Sequence, residues 1–246
     1  MKYLKSSTFL LLCFSTCAFS SAVVTYSDAH IETTDVAAAS IYSFNGMATN
    51  QALLPSAVSS AFATYNRLYV VGANEYGGAS DSTYGVVGDP TGSANVQSAT
   101  LQFAKPVSYI GFWWSAADPH NVFTLYSGKT AVLTMTNQTL INALGACGGA
   151  NAYCGNPNNG QDRNELFAYV NIWGTNGSTF TSARFQQLNA DGGFEFDNVA
   201  FTDDPPGDPS SPEPATWAFA GLGLIAVSML VKRVRRVSPS RRSTLP

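Results

Sequence analysis

Charge is scarce in this 246-residue chain: 12% of its residues are Asp, Glu, Lys or Arg, roughly half the share of an average globular protein. With 45% hydrophobic residues, the scarcity excludes a highly charged, disordered chain, which lacks the apolar surface to fold. Histidine is scarcer still, with only His30 and His120 present. There is no His-Glu-x-x-His and no Gly-x-Ser-x-Gly, so zinc hydrolysis and triad-type nucleophilic hydrolysis lack their residues. Ser127-Gly128-Lys129-Thr130 copies the end of a phosphate-binding loop, but Phe123 stands where that loop needs its first glycine. Basic residues are nearly missing from the middle. Of 13, Lys2 and Lys5 open the chain and six lie in its last fifteen residues, leaving five between, whereas all 16 acids fall between Asp28 and Glu213. An acidic body repels nucleic-acid phosphates, so no nucleic-acid partner is expected.

What is present is concentrated first at the ends. Lys2 and Lys5 precede the apolar run Phe9 to Phe14 and the small residues Ser15 to Ala22, the layout of a secretory signal over residues 1–22 with cleavage near Ala22. Cys17 lies near the depth of a lipidated cysteine, but Phe14-Ser-Thr-Cys17 lacks the aliphatic and small residues that such signals favour. After residues 23–202, the acidic, proline-rich stretch 203–214 ends in Pro212-Glu213-Pro214; it cannot pack a core and reads as an extended linker. Residues 215–231 carry no charge and would span about 26 Å as a helix, a short membrane crossing. Lys232, Arg233, Arg235 and Arg236 follow in the tail 232–246. Positive-inside placement makes that tail cytoplasmic and the acidic body external, with Trp217 at the outer interface.

Pro212-Glu213-Pro214, an apolar segment containing Gly221-Leu-Gly223, and an arginine cluster, in that order, resemble the PEP-CTERM sorting signal of bacterial surface proteins. The resemblance implies an exosortase that processes the chain near the Pro-Glu-Pro, so that the body is first anchored in the inner membrane and then displayed or released at the cell surface. Ile110-Gly-Phe-Trp-Trp-Ser-Ala-Ala-Asp118, Asn121 to Gly128 and Phe194-Glu-Phe-Asp-Asn-Val199 also resemble exosortase-dependent surface proteins. No activity follows from that second likeness.

Within the body, ten short strands are predicted: 23–26, 40–44, 67–71, 98–103, 107–114, 121–126, 131–136, 166–172, 179–187 and 193–201. Leu101 and Phe103 alternate with Thr100 and Gln102, as half-buried strands do. Ser127-Gly128 reads as a tight hairpin turn. A helix fits 137–144 and a second one 54–65, while the Gly-, Ser- and Asp-rich stretch 72–94 reads as a mobile surface loop. This pattern predicts an all-β, jelly-roll-like β-sandwich, with an up-and-down barrel as the alternative. Cys147 and Cys154, the only cysteines beyond the signal, predict a disulfide in an oxidising compartment.

Two sets of residues stand out as candidate sites. Glu195 and Asp197, two apart on a strand, share one face with oxygen ligands suited to a structural calcium ion, to hydrogen-bonded structure or, as paired carboxylates, to glycoside hydrolysis. The apolar parity flips after them, which predicts a bulge near Asp197-Asn198. Trp113 and Trp114 face opposite ways on a strand; one of them exposed beside Asp118 and Asn121 would make a stacking platform for sugar rings. The sequence as a whole points to a non-enzymatic, exported surface or matrix protein, structural or adhesive, working among extracellular polysaccharide, with a carbohydrate-binding module as the alternative.

Overall fold

The computed structural model of the chain describes residues 21–53, 60–80, 82–88, 96–189 and 192–204. Of the expected signal over 1–22 only Ser21 and Ala22 are described, and of the expected linker over 203–214 only Asp203 and Asp204; the apolar segment 215–231 and the basic tail lie outside the described residues. Among the described residues no helix is long and apolar enough to cross a membrane.

The body is all-β. Its strands are β1 (Ser21–Tyr26), β2 (Ser40–Tyr42), β3 (Gln51–Leu53), β4 (Ala63–Tyr65), β5 (Leu68–Val71), β6 (Tyr84–Gly88), β7 (Ser98–Val107), β8 (Tyr109–Ser115), β9 (Asn121–Ser127), β10 (Thr130–Thr136), β11 (Ala168–Thr175), β12 (Phe180–Gln187) and β13 (Gly193–Thr202), with one helix, α1 (Asn137–Leu144). They form two antiparallel sheets, one ordered β1-β11-β8-β13-β6-β5-β3 with β2 also on β13, the other β10-β9-β12-β7-β4. From β7 onward the chain passes repeatedly from one sheet to the other, and neither strand order is sequential. An up-and-down barrel is thereby excluded.

Alternation explains which faces meet. In β7, Ala99, Leu101 and Phe103 are buried and Gln102 is exposed; in β9, Asn121, Phe123 and Leu125 turn inward. These side chains face Ile110, Phe112, Trp114, Phe194 and Phe196 of the larger sheet in one core. Phe185 stacks on Phe196 with centroids 4.0 Å apart and Trp114 on Phe194 at 4.5 Å, contacts that add about 0.5–1.5 kcal/mol per pair beyond burial. The predicted hairpin is present: Ser127 pairs with Thr130 around Gly128, whose φ of 59° suits glycine. α1 occupies its predicted span; the Thr136 N–H donates to Thr139 Oγ1 at its start and the Gly145 N–H to the Ile141 carbonyl at its end.

The bulge in β13 is also where the parity flip put it. Asn198 takes φ 46° and the register to β8 shifts between Asp197 and Ala200, so Phe194 and Phe196 before it and Val199 and Phe201 after it all reach the same core.

Two expectations are corrected. The stretch 72–94 is not a surface loop throughout, because Tyr84–Gly88 is a fully buried strand between β13 and β5. Its glycines, which made the segment look loop-like, are packing requirements: a Cβ on Gly85 would come within 2.9 Å of Phe44 Cζ, and one on Gly88 within 2.6 Å of the Gly192 carbonyl oxygen. The helix expected over 54–65 gives way at its end to β4, which pairs with β7 through Ala63, Thr64 and Tyr65; residues 54–59 lie outside the described residues.

Candidate functional site

The functional candidates gather on the outer face of the larger sheet. Strand alternation turns Glu195 and Asp197 away from the core that holds Phe194 and Phe196. That outer face is roofed rather than open to water. Ala79, Trp113, Ala116, Phe167 and Tyr169 form a second apolar cluster beneath the roof, and Glu195 and Asp197 are 2% and 0% exposed.

Asp197 is a fastener for this roof. Its Oδ2 accepts hydrogen bonds from the Ala79 N–H at 3.2 Å and the Ser82 hydroxyl at 2.5 Å, and its Oδ1 accepts from the Asn198 N–H. Burial pushes its pKa up and these three donors hold it down. Glu32 ties down the outer layer: its Oε2 accepts from the Ser80 N–H and hydroxyl, and its Oε1 from Asn158 Nδ2.

Glu195 differs. Its Oε2 is buried with no hydrogen-bond partner. Its other oxygen lies against Gly193, where a Cβ would strike Oε1, and a Cβ on the preceding Gly192 would strike Asp118 Oδ2. The two carboxyl groups therefore flank one Gly-Gly turn, and the Gly193 N–H donates to Asp118 Oδ2 at 2.9 Å. Burial raises the Glu195 pKa well above the usual carboxylate range, and neighbouring Asp118, Glu165 and Asp162 raise it further. Glu165 is pushed up to about 7 by burial, then by Asp118 and Asp162. Asp118 and Asp162 are also raised, burial being the first cause in each. The face is thus a layer of carboxyl groups poised to hold protons. Among the described residues no three His, Cys, Asp or Glu side chains are grouped to hold a metal ion. Glu195 and Asp197 do share a face, but the oxygens of Asp197 are taken by protein donors, so of the expected calcium pair only Glu195 carries an uncommitted oxygen.

The sugar platform is corrected. Alternation does send Trp113 and Trp114 to opposite faces, yet both are buried, at 1% and 0% exposed. Trp114 enters the core and donates from Nε1 to Asn121 Oδ1; Trp113 packs on Phe167 under the roof and donates to the Gly78 carbonyl at 2.9 Å. Asn121 is fully engaged, donating to Gln187 Oε1 and the Gly193 carbonyl and accepting from the Asp118 N–H. Trp114, Asp118 and Asn121 are indeed neighbours, but as an internal network without a free ring face. The roof over the outer face removed the site, and no local feature of Ile110–Asp118 reports it.

Cys147 and Cys154 are bonded, with Cα atoms 5.6 Å apart. The bridge staples a glycine- and asparagine-rich loop. Asn151 Nδ2 donates to the carbonyls of Leu144, Gly145 and Ala146 at the end of α1, Cys154 bridges to Leu166, and the Tyr153 hydroxyl donates to the Ser27 carbonyl. Together with His30, whose Nε2 lies 3.1 Å from the Ala152 carbonyl oxygen, this loop walls an open cavity of about 460 Å³.

No family model matches the chain, and no curated protein and no solved structure matches it.

Proposed function

We propose that the chain is an exported bacterial surface or extracellular-matrix protein, sorted and processed by an exosortase through its C-terminal tail, with a structural or adhesive rather than enzymatic role. The observation that carries this reading is the ordered tail itself: Pro212-Glu213-Pro214, an uncharged segment over 215–231, then Lys232, Arg233, Arg235 and Arg236. The chain is held in the inner membrane by that one segment before processing and is at the cell surface or outside the cell afterwards, among extracellular polysaccharide. The passage of the chain between two antiparallel sheets from β7 onward supports a jelly-roll-like sandwich, and the Cys147–Cys154 bond suits an oxidising compartment. Burial of Glu195 and Asp197 under the roof counts against glycoside hydrolysis, which needs both carboxyl groups on the substrate.

The test is the intact mass of the mature protein from its native host, with peptide mapping of both ends. The expected product ends near Pro214. At the other end, β1 pairs with β11 from Ser21 and the Ser21 N–H donates to Ser178 Oγ, so a mature start at Ser21 preserves two ladder pairs that a start at Val23 would lose. A chain still ending at Pro246 in the membrane would overturn processing and leave a protein anchored by a single span.

A further inference from the structure

We propose that the cavity between His30 and the disulfide-stapled loop binds a single sugar acid, a hydroxylated ring bearing one carboxylate, through Arg163. Its setting among polysaccharide rests on the proposed function, while its chemistry rests on the cavity alone. At about 460 Å³, the space falls within the range of small-ligand sites, but those are mostly walled by apolar and aromatic side chains. This one has no Phe, Tyr or Trp in its wall. Bare backbone at Gly148, Gly149 and Gly160, where an added Cβ would meet nothing, alternates with the side chains of His30, Arg163 and Asn164. A wall made mostly of amides, carbonyls and one guanidinium, with Pro157 and Cys154 as its apolar part, suits a ligand covered in hydroxyls and gives an apolar ligand little to bury against.

Arg163 decides the charge of that ligand. Its side chain is exposed; among the described residues its guanidinium makes one hydrogen bond, Nε to the Gly160 carbonyl at 3.0 Å, and no ion pair. That bond holds the planar group by one edge and leaves the terminal nitrogens to take a carboxylate in the paired geometry that arginine favours. The body around it is acidic, with five basic residues between the two basic ends, so its long-range field repels a densely charged chain. The arrangement therefore selects one carboxylate on an otherwise neutral sugar. The loop is held by the Cys147–Cys154 bond, by Asn151 on three carbonyls, and by the Asn156–Gln161 and Gly160–Asn156 backbone bonds, so little ordering cost accompanies binding.

Ligand-observed NMR on the full-length chain in detergent tests this, using glucuronate and glucose as probes. Glucuronate is expected to bind with a dissociation constant on the order of 1 mM and glucose about tenfold more weakly. Arg163→Gln should remove that difference, while Lys129→Gln, in the distant β9–β10 turn, should not change it. Equal binding of the two sugars, unchanged glucuronate binding in Arg163→Gln, loss of it in Lys129→Gln as well, or no binding at about 50 mM would each overturn the proposal. Processing of the tail is read separately by the mass of the mature ends, so either reading can fail without the other.

Discussion

The two faces of β13 make the most instructive comparison in the molecule. On one, Phe194 and Phe196 enter an aromatic core shared by both sheets. On the other, one residue away in sequence, Glu195 and Asp197 are just as inaccessible, but beneath loops held by hydrogen bonds instead of under a second sheet. Burial costs nothing for the phenyl rings, whereas a buried carboxylate must be paired, hydrogen-bonded or protonated. Asp197 takes the hydrogen-bonded solution, whereas burial and the neighbouring acids push Glu195 toward its protonated form. The difference shows that near-equal burial on one strand stabilises the fold on one side and stores titratable charge on the other.

The largest effect expected from breaking this contrast is on the aromatic side. Phe196→Ala should lower stability by about 3–5 kcal/mol, measured by denaturant unfolding at a single pH; a loss under about 1 kcal/mol would mean that the core collapses around the site. At the edge of the core, where Cys147 and Cys154 pack against it, replacing both by serine should cost about 2–3 kcal/mol. Hydrogen exchange should then accelerate in 145–165 while β7, β9 and β12 stay protected; uniform acceleration would show that the loop and the core unfold as one unit.

The pH dependence sharpens the comparison further. Glu165 moves from its ordinary 4.5 to about 7 in the folded chain, and Asp118, Asp162, Glu195 and Asp197 are raised as well. A carboxyl group with a raised folded pKa makes the native state bind more protons than the unfolded one, so stability is lost as pH rises from the unfolded toward the folded value. The melting temperature should therefore fall between about pH 4.5 and pH 7.5. Glu195→Gln should raise it at pH 8 and flatten the profile, whereas Phe196→Ala should shift the whole profile down with its slope intact. An unchanged slope in Glu195→Gln would assign the dependence to Glu165 and its neighbours.

Calcium is expected to have the smallest effect. A cation held at Glu195 would stabilise the deprotonated chain, so adding calcium at pH 8 should raise the melting temperature and chelation should lower it. A melt indifferent to both removes the ion and leaves the proton as the only means of neutralising Glu195.

Much of the fold was legible because it rests on alternation. β7 and β9 follow period-2 patterns, and the Asp197-Asn198 bulge announces itself when Val199 and Phe201 fall out of step with Phe194 and Phe196. Tyr84–Gly88 was not legible, since Gly85 and Gly88 carry no hydrophobic signal and earn their place only through Phe44, Phe196 and Gly192, all distant in sequence. The site was legible in its residue types and not in its environment. Glu195 and Asp197 were placed on one face by spacing, but Ser82, Ala79 and Glu165, which decide what those carboxyl groups do, stand at no fixed interval from them.

The sequence by itself determined the ends of the protein, as charge and hydropathy along a line: a basic, apolar and small-residue start, and a Pro-Glu-Pro, uncharged and arginine-rich finish. It also determined the inner faces of the strands, because side chains of a strand alternate whatever the strand packs against. Only the tertiary structure decided the outer face of the larger sheet. Whether Trp113 meets water or the Gly78 carbonyl, and whether Glu195 meets a ligand or three other acids, depends on segments from 30 to 77 residues away, and no local pattern encodes a contact of that range.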